Sequence, residues 1–178
     1  MIFLPREGDV EKMMEFGKPE EELITLDTIQ LPPNAYEVTS PSATEFSDYR
    51  SIAEQLTPVL KADDRCYIAV EWVKKKNCLV LVTDNIDEKV KSLADKGISV
   101  SYEAIEYQLW EESHQFITDR SEYEGIADLV VECVKDDDRY YLAFDWKKKR
   151  NVFLWSTKAP DDRARCIREK GVAAVVRG

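Results

Sequence analysis

The sequence contains one histidine, His114, and its four cysteines include no pair with C-x-x-C spacing. Structural zinc sites usually draw their ligands from such close pairs, so we do not expect a zinc site in this chain. The stretch around the histidine, EESHQF, carries no motif of an activated serine or cysteine nucleophile. We therefore predict no metal site, no cofactor and no catalytic residue, and we interpret His114 as an ordinary surface or half-buried residue.

Long apolar runs are also missing. No stretch of the 178 residues approaches the length that is needed to span a bilayer. The start of the chain, MIFLPREGDVEK, lacks the basic residues and the longer apolar core of a signal peptide. These features predict a cytoplasmic protein without membrane contact, in which Cys66, Cys78, Cys133 and Cys166 are reduced thiols that pack as small hydrophobic residues.

One segment occurs twice in the chain. The stretch DDRCYIAVEWVKKKNCLVL, which begins at Asp63, closely resembles DDRYYLAFDWKKKRNVFLW, which begins at Asp137. The identities share one offset, since Trp72 matches Trp146 and 146 − 72 = 74. The match continues without a gap on both sides of the quoted stretches, which indicates an internal duplication.

Each copy predicts the element order α-β-β-α-β. In the first copy, apolar spacing indicates helices over residues 51–60 and 87–96, and alternation indicates strands over 67–72 and 79–82. A leading strand at residues 35–38, or in AIEYQLW, would give β-α-β-β-α-β, a ferredoxin-like order. The predicted fold class is α+β, with two tandem homologous units that form an intramolecular pseudo-dimer.

The predicted boundaries divide the chain into three segments. Residues 36–106 and 107–178 are the two repeats, and residues 1–35 are an acidic segment with one helix and one strand. Ile24, Ile98 and Val172 are spaced by 74 twice over (98 − 24 = 74 and 172 − 98 = 74). We therefore interpret the N-terminal segment as part of a third unit.

The hairpin in each unit concentrates positive charge, although the chain has a net charge of −10. The tips, VKKKN over residues 73–77 and KKKRN, are either solvated turns that protect a sheet edge or basic prongs that bind phosphates or an acidic protein. Asn77 and Asn151 are expected to take the left-handed conformation of the turn. The predicted binding residues are Lys74, Lys75, Lys76, Lys147, Lys148, Lys149 and Arg150, with Tyr67 and Tyr141 on the adjoining strands.

The alternation of the hairpin strands separates two faces. Trp72 and Trp146 lie on the face that is predicted to pack beneath the helices of the same unit. The other face carries Tyr67, with Leu79 and Leu81 expected beside it on the return strand. This second face is too apolar to be solvated, so either the other copy or a protein partner should cover it.

These features favour a non-catalytic binding protein, such as an adaptor, inhibitor or regulatory module, which acts through contacts with a protein partner. Three alternatives stay open. The basic tips would suit nucleic acid, and the D-x-K formed by Asp145 and Lys147 would suit a metal-dependent nuclease. An acidic surface would suit a mimic of nucleic acid. Its candidate residues are Glu7, Asp9, Glu11, Glu15, Glu20, Glu21 and Glu22, with Glu111 and Glu112.

Overall fold

The computed structural model describes residues 23–177 of the chain. These residues form four α-helices and one sheet of nine strands, which confirms the α+β class. None of the helices in this range is long and apolar enough to cross a membrane. In chain order the elements are β1 (Ile24–Gln30), β2 (Ala35–Thr39), α1 (Phe46–Leu56), β3 (Arg65–Glu71), β4 (Lys76–Val82), α2 (Ile86–Asp95), β5 (Ser101–Ala104), β6 (Leu109–Ser113), α3 (Arg120–Val130), β7 (Arg139–Asp145), β8 (Arg150–Ser156), α4 (Pro160–Glu169) and β9 (Val172–Arg177).

Local sequence explains where the first helix begins and ends. Glu45 and Asp48 form a reciprocal capping box at the start of α1, which places this start five residues before the predicted one. The α-helix ends at Leu56, where the chain tightens into the 3₁₀ turn Thr57–Val59, which contains Pro58.

Lysine, not asparagine, takes the left-handed position in each hairpin. Lys75 and Lys149 have φ angles of 54° and 56°, so the prediction for the asparagines was wrong. Asn77 and Asn151 lie within the return strands instead. Their side-chain amides donate to the backbone carbonyl oxygens of Thr44 and Thr118, both at 2.9 Å, which holds them in place.

The strand order of the sheet is β5-β2-β4-β3-β7-β8-β6-β1-β9. Strands β3 and β7 pair antiparallel at the centre, with Ala69 opposite Ala143. The predicted N-terminal strand is β1, which lies between β6 and β9, antiparallel to the former and parallel to the latter. The predicted N-terminal helix lies outside the described residues. We refer to residues 36–106 as the first half of the chain and to residues 107–177 as the second half.

The sheet has one face covered by helices and one that curls on itself. Two apolar clusters combine helix and strand residues, whereas the third contains residues of strands and loops only. Tyr67 belongs to the third cluster and lies opposite Val80, and not beside Leu79 or Leu81 as predicted. Those two leucines pack beneath the helices, because the hairpin turn is one residue shorter than expected and this changes which face they occupy.

Each of the two hairpin tryptophans packs against a helix of the other half of the chain. Trp72 is 7% exposed, packs in the cluster around α3, and donates from Nε1 to Oδ1 of Asp128 at 3.2 Å. Trp146 is half-buried against the cluster around α1 and donates from Nε1 to Oγ1 of Thr57 at 3.0 Å. The prediction that each packs under its own helices was wrong, because β3 and β7 run antiparallel past their centre and each ends over the other half.

Two of the four cysteines are joined, contrary to the expected reduced thiols. Cys133 and Cys166 form a disulfide that links the 3₁₀ turn after α3 to α4. Cys66 and Cys78 are free and buried. Burial raises the pKa of the Cys66 thiol to about 12, so this thiol stays protonated and unreactive.

Candidate binding grooves

Glu111 joins strands across the curled face of the sheet by a hydrogen bond and ion pairs. The Tyr67 hydroxyl on β3 donates to Oε1 of this glutamate on β6 at 2.6 Å. Two strands, β7 and β8, separate β3 from β6, so a flat sheet would hold the two backbones about 14 Å apart. The direct hydrogen bond therefore requires strong curvature. Nη2 of Arg150 lies 3.0 Å from Oε2 of the same carboxylate, and Nη1 of Arg65 lies 3.9 Å from Oε1.

Glu37 on β2 makes the matching set of contacts. It accepts a hydrogen bond from the Tyr141 hydroxyl at 2.7 Å and lies 3.3 Å from Nη1 of Arg139. The same arginine also pairs with Glu103 at 2.6 Å. Burial, followed by the charge of the glutamate, raises the pKa of Tyr141, and burial and Glu111 act likewise on the pKa of Tyr67. Both hydroxyls therefore stay protonated and serve as internal donors.

Two grooves flank this network, one at each end of the central strands. The Arg139 groove has a volume of about 510 Å³ and the Arg65 groove about 630 Å³. Nine of the twelve residues that line the Arg65 groove stand 74 positions from a residue that lines the other groove. The two grooves are therefore equivalent places in the sequence pattern.

Both grooves carry more acid than base. The Arg139 groove is lined by seven acidic and four basic side chains. The Arg65 groove is lined by four acidic and three basic side chains. Ion pairs reduce this difference, since Asp138 pairs with Arg163 and Asp64 pairs with Lys89, and neither cation lines the groove. The exposed acids of the Arg139 groove, such as Glu106 and Asp136, would suit a basic group.

Most of the predicted basic residues are held by contacts within the chain. The Nζ atoms of Lys75 and Lys149 lie 3.0 and 2.9 Å from the ring centroids of Trp72 and Trp146. Arg150 is paired with Glu111, as described above. Within residues 23–177, no side-chain hydrogen bond, ion pair or ring contact engages the remaining three predicted lysines, which are Lys74, Lys76 and Lys148.

Lys147 is the most strongly engaged of these residues. Its Nζ donates to three backbone carbonyl oxygens, those of Lys61 at 2.9 Å, Ala62 at 3.1 Å and Asp64 at 2.8 Å. The ammonium group therefore ties the second hairpin to the loop before β3. In the first hairpin, Val73 occupies the corresponding position and is exposed.

Replacing Lys147 with serine should lower the free energy of unfolding by about 1–3 kcal/mol, because the three carbonyls lose a charged donor. The matched control is Val73→Ser, which should stay within about ±0.5 kcal/mol. A triple substitution of Lys74, Lys76 and Lys148 to serine should also change the free energy of unfolding by no more than about 0.5 kcal/mol. Chemical denaturation measures all three variants. Equal losses for Lys147→Ser and its control would contradict the assigned role.

Asp145 of the nuclease alternative and the single histidine, His114, both make structural contacts. Oδ1 of Asp145 accepts the backbone N–H groups of Lys147 and Lys148, each at 3.1 Å, and so closes the hairpin turn. Nδ1 of His114 accepts the N–H groups of Phe116 and Ile117 at 3.1 and 3.2 Å, as a turn cap. In the described part of the chain, no cluster of three or more suitable side chains could hold a metal ion.

Part of the proposed acidic surface is internal. Glu111 is 1% exposed and Glu112 is 5% exposed, so neither contributes to a surface that mimics nucleic acid. The other candidates, which begin at Glu7 and end at Glu22, lie outside the described residues.

Glu112 is a buried acid away from the grooves, on the helix-covered face. Burial raises its pKa from 4.5 to about 7, although a 3.4 Å hydrogen bond from Oγ1 of Thr28 opposes the shift. Between these values the unfolded chain is ionised while the folded chain retains the proton, so stability must fall as the pH rises. The charged groups around it are Asp161 and Arg163 on α4, with the Tyr140 hydroxyl on β7.

We expect the free energy of unfolding to fall by about 3 kcal/mol between pH 4.5 and pH 7 on account of this group. Glu112→Gln should remove that component and be more stable than the parent at pH 8. Thermal and urea denaturation across this pH range, compared with the exposed control Glu54→Gln, measure the effect. A parallel pH profile for parent and Glu112→Gln would refute the assignment.

No protein-family model matches the chain, and no curated protein matches it significantly. The functional argument therefore rests on the grooves themselves. Their network was missed in the sequence, although a signal existed: Glu37 and Glu111 interrupt apolar strands at the repeat offset (111 − 37 = 74). Arg65 and Arg139 share that offset.

Proposed function

We propose that the chain is a tandem duplication of a β-α-β-β-α-β unit that folds as an intramolecular pseudo-dimer. Strand registers support this. Glu37 on β2 lies opposite Glu103 on β5, whereas Glu111 on β6 lies opposite Ile29 on β1. Each residue of the second pair stands 74 positions from its counterpart (111 − 37 = 74 and 103 − 29 = 74). Thus β1 pairs with the second half in the same position in which β5 pairs with the first half. A remnant of a third unit would be expected to pair in this way.

The same chain works as a non-catalytic binding protein that recognises a protein partner with a basic surface. The observation that carries this function is the acid excess of two equivalent grooves, each large enough for several side chains. Two equivalent sites on one rigid sheet would engage either a symmetric partner or two copies of one motif. Such a protein would act as an inhibitor, adaptor or regulatory module.

Nucleic-acid binding is the weaker alternative. It would use the lysines of the hairpin tips, but Lys75, Lys147, Lys149 and Arg150 are engaged within the chain. The acidic grooves beside the tips would repel phosphates within a Debye length of about 8 Å at physiological salt. Only the three unengaged lysines remain for this role.

Charge reversal in one groove tests the proposal. Glu106 and Asp136 are exposed and line the Arg139 groove. The variant Glu106→Lys/Asp136→Lys should lose a partner that the parent captures from nuclease-treated native lysate. The control variant Glu54→Lys/Glu122→Lys reverses two exposed charges on helices and should retain it.

A salt series distinguishes the alternatives. A random-sequence duplex DNA, followed by fluorescence anisotropy, should show no binding at physiological salt. DNA binding that weakens steeply with salt, and that is lost when Lys74, Lys76 and Lys148 become serine, would overturn the proposal in favour of nucleic acid.

The cytoplasmic location stays a prediction. Disulfides such as Cys133–Cys166 persist mainly in oxidising compartments and are rare in reducing ones. Mass spectrometry of the protein alkylated in its native cells would report whether these two thiols are joined there. Alkylation of both would favour the cytoplasm.

A further inference from the structure

A small cleft lies on the helix-covered face, well away from the two grooves. It has a volume of about 250 Å³ and is bounded by α4 and by strands β1, β6, β8 and β9. Its walls are mostly apolar. The lining includes Trp110, Trp155, Pro160, Ile167 and Val176, with Glu112 at the sheet.

Glu112 gives the cleft an unpaired carboxylate. The side chain is 5% exposed, and it accepts one hydrogen bond, from Oγ1 of Thr28 at 3.4 Å, near the limit for such a bond. No ion pair to it occurs among residues 23–177. Burial without a cation disfavours the ionised form of this carboxyl group, so a positively charged group inside the cleft would be favoured above neutral pH, where the carboxyl is ionised.

Trp110 adds a second polar group whose hydrogen bonding is not satisfied. Its Nε1 atom is buried and has no hydrogen-bond partner in the described structure. Trp110 and Glu112 project from the same face of β6, two residues apart, and both line the cleft. The cleft therefore presents one donor and one acceptor that the protein itself leaves unsatisfied or weakly satisfied.

The remaining charges do not supply the missing cation. Arg163 lines the cleft, but its guanidinium binds Asp138 through Nε at 2.7 Å and through Nη2 at 3.2 Å. Asp161 at the rim is acidic. The cleft consequently has a net negative character together with aromatic walls, which suits an organic cation.

The first half shows that the fold does not require this acid. The residue 74 positions before Glu112 is Val38 (112 − 74 = 38), which is 1% exposed and packs in an apolar cluster. The residue that corresponds to Trp110 is Tyr36. A valine thus fills the equivalent strand position without a buried charge, and the glutamate needs another reason.

We propose that this cleft binds a small apolar primary amine that carries a hydrogen-bond acceptor next to the amine. The ammonium group pairs with the Glu112 carboxylate, the acceptor receives the Trp110 Nε1–H, and the apolar body lies against Trp155 and Ile167. The volume is below the roughly 300–1,000 Å³ of sites for drug-sized ligands, so the ligand is of amino-acid size. Amino alcohols and amino-acid amides have this chemistry.

Phenylalaninol is a suitable probe, and 3-phenylpropan-1-ol is its matched analogue without the amine. Titration of the full chain at pH 8 by calorimetry should show binding of the amine and at least about tenfold weaker binding of the alcohol, as expected for a lost charge-assisted hydrogen bond. 3-Phenylpropanoate, which carries the opposite charge, should not bind. The four indole N–H signals in an NMR spectrum locate the site, and the Trp110 signal should shift on addition of phenylalaninol.

Three variants of the cleft and one control variant complete the test. Glu112→Gln and Glu112→Val should each weaken phenylalaninol binding about tenfold or more while the protein stays folded, since the second restores the residue found in the first half. Trp110→Phe removes the indole donor together with part of the aromatic wall, and should weaken binding several-fold. Glu54→Gln on the exposed side of α1 should change it less than twofold. Equal affinity for amine and alcohol, or unchanged amine binding in Glu112→Gln, would overturn the proposal.

Discussion

Replacing Lys89 with methionine should lower the free energy of unfolding by about 3–5 kcal/mol, because it leaves the buried Asp64 carboxylate without its cation. Lys89 is fully buried, and its Nζ lies 3.0 Å from Oδ2 of Asp64, as an ion pair without hydrogen-bond geometry. Urea denaturation at neutral pH measures the loss. Methionine keeps the apolar stem of the lysine, so the effect reports the charge.

The pH dependence of the same variant gives a second readout. Burial by itself would raise the pKa of Asp64, but the backbone N–H of Lys61 and the ammonium of Lys89 together lower it. The resulting stability is present above the ordinary carboxyl pKa and disappears as the pH falls through the lowered one. Without Lys89 the pKa of Asp64 should be lowered less, so the part of the acid-induced loss of stability that this carboxyl contributes should become smaller.

The second half provides a matched control for this pair. Arg163 and Asp138 occupy the equivalent positions (163 − 89 = 74 and 138 − 64 = 74), at 2.7 Å, but the arginine is 12% exposed. Arg163→Met should therefore destabilise the protein less than Lys89→Met. A loss below about 1 kcal/mol for Lys89→Met would show that the pair contributes little.

Truncating Trp72 to alanine should cost about 3–5 kcal/mol, as for other buried large aromatic side chains. It removes an indole that is 7% exposed and its hydrogen bond to Asp128. Trp146→Ala is the matched control and should cost less, because that ring is only half-buried. Equilibrium unfolding in denaturant compares the two variants.

Hydrogen exchange can show which half each tryptophan supports. Loss of Trp72 should reduce amide protection in α3 of the second half more than in α1 of the first half. The reverse pattern would mean that the indole serves its own half. A total free energy of unfolding cannot tell whether Trp72 packs against α3 or against α1, whereas hydrogen exchange can.

Period-two alternation was enough to predict the hairpin strands and the face on which the tryptophans lie. It could not predict which helices cover that face, because alternation fixes a side of the sheet and not a position along it. That position depends on the central antiparallel pairing around Ala69 and Ala143, which links residues from different halves. The exchange of Trp72 and Trp146 follows from this pairing.

The wrong predictions at the turn and the cysteines have separate causes. The turn position was assigned to Asn77 from residue preference, whereas the strand register places Lys75 there. The preference for asparagine in a left-handed conformation is weaker than the constraint of pairing along the whole hairpin. The Cys133–Cys166 disulfide joins residues 33 apart with no spacing signal, so only the packing of α4 reveals it.

The grooves were partly foreseeable. The sequence matches at an offset of 74 identified the hairpin lysines and the arginines that begin β3 and β7. It did not identify the glutamates that these arginines reach, because Glu37 and Glu111 come from strands that are distant in sequence and adjacent only across the curled face. Contacts between buried charged groups that are distant in sequence can be identified only once the sheet is known.

The exchanged tyrosine–glutamate bonds set an order of events during synthesis. The hydrogen bond of Glu37 can form only after Tyr141 has been synthesised, and that of Tyr67 only after Glu111. The N-terminal half therefore leaves the ribosome before these partner residues exist. At typical elongation rates of about 5–20 residues per second, the lag of 104 positions from Glu37 to Tyr141 lasts about 5–20 s. For that interval the nascent chain lacks the residues of the second half that complete the apolar cluster around Tyr67.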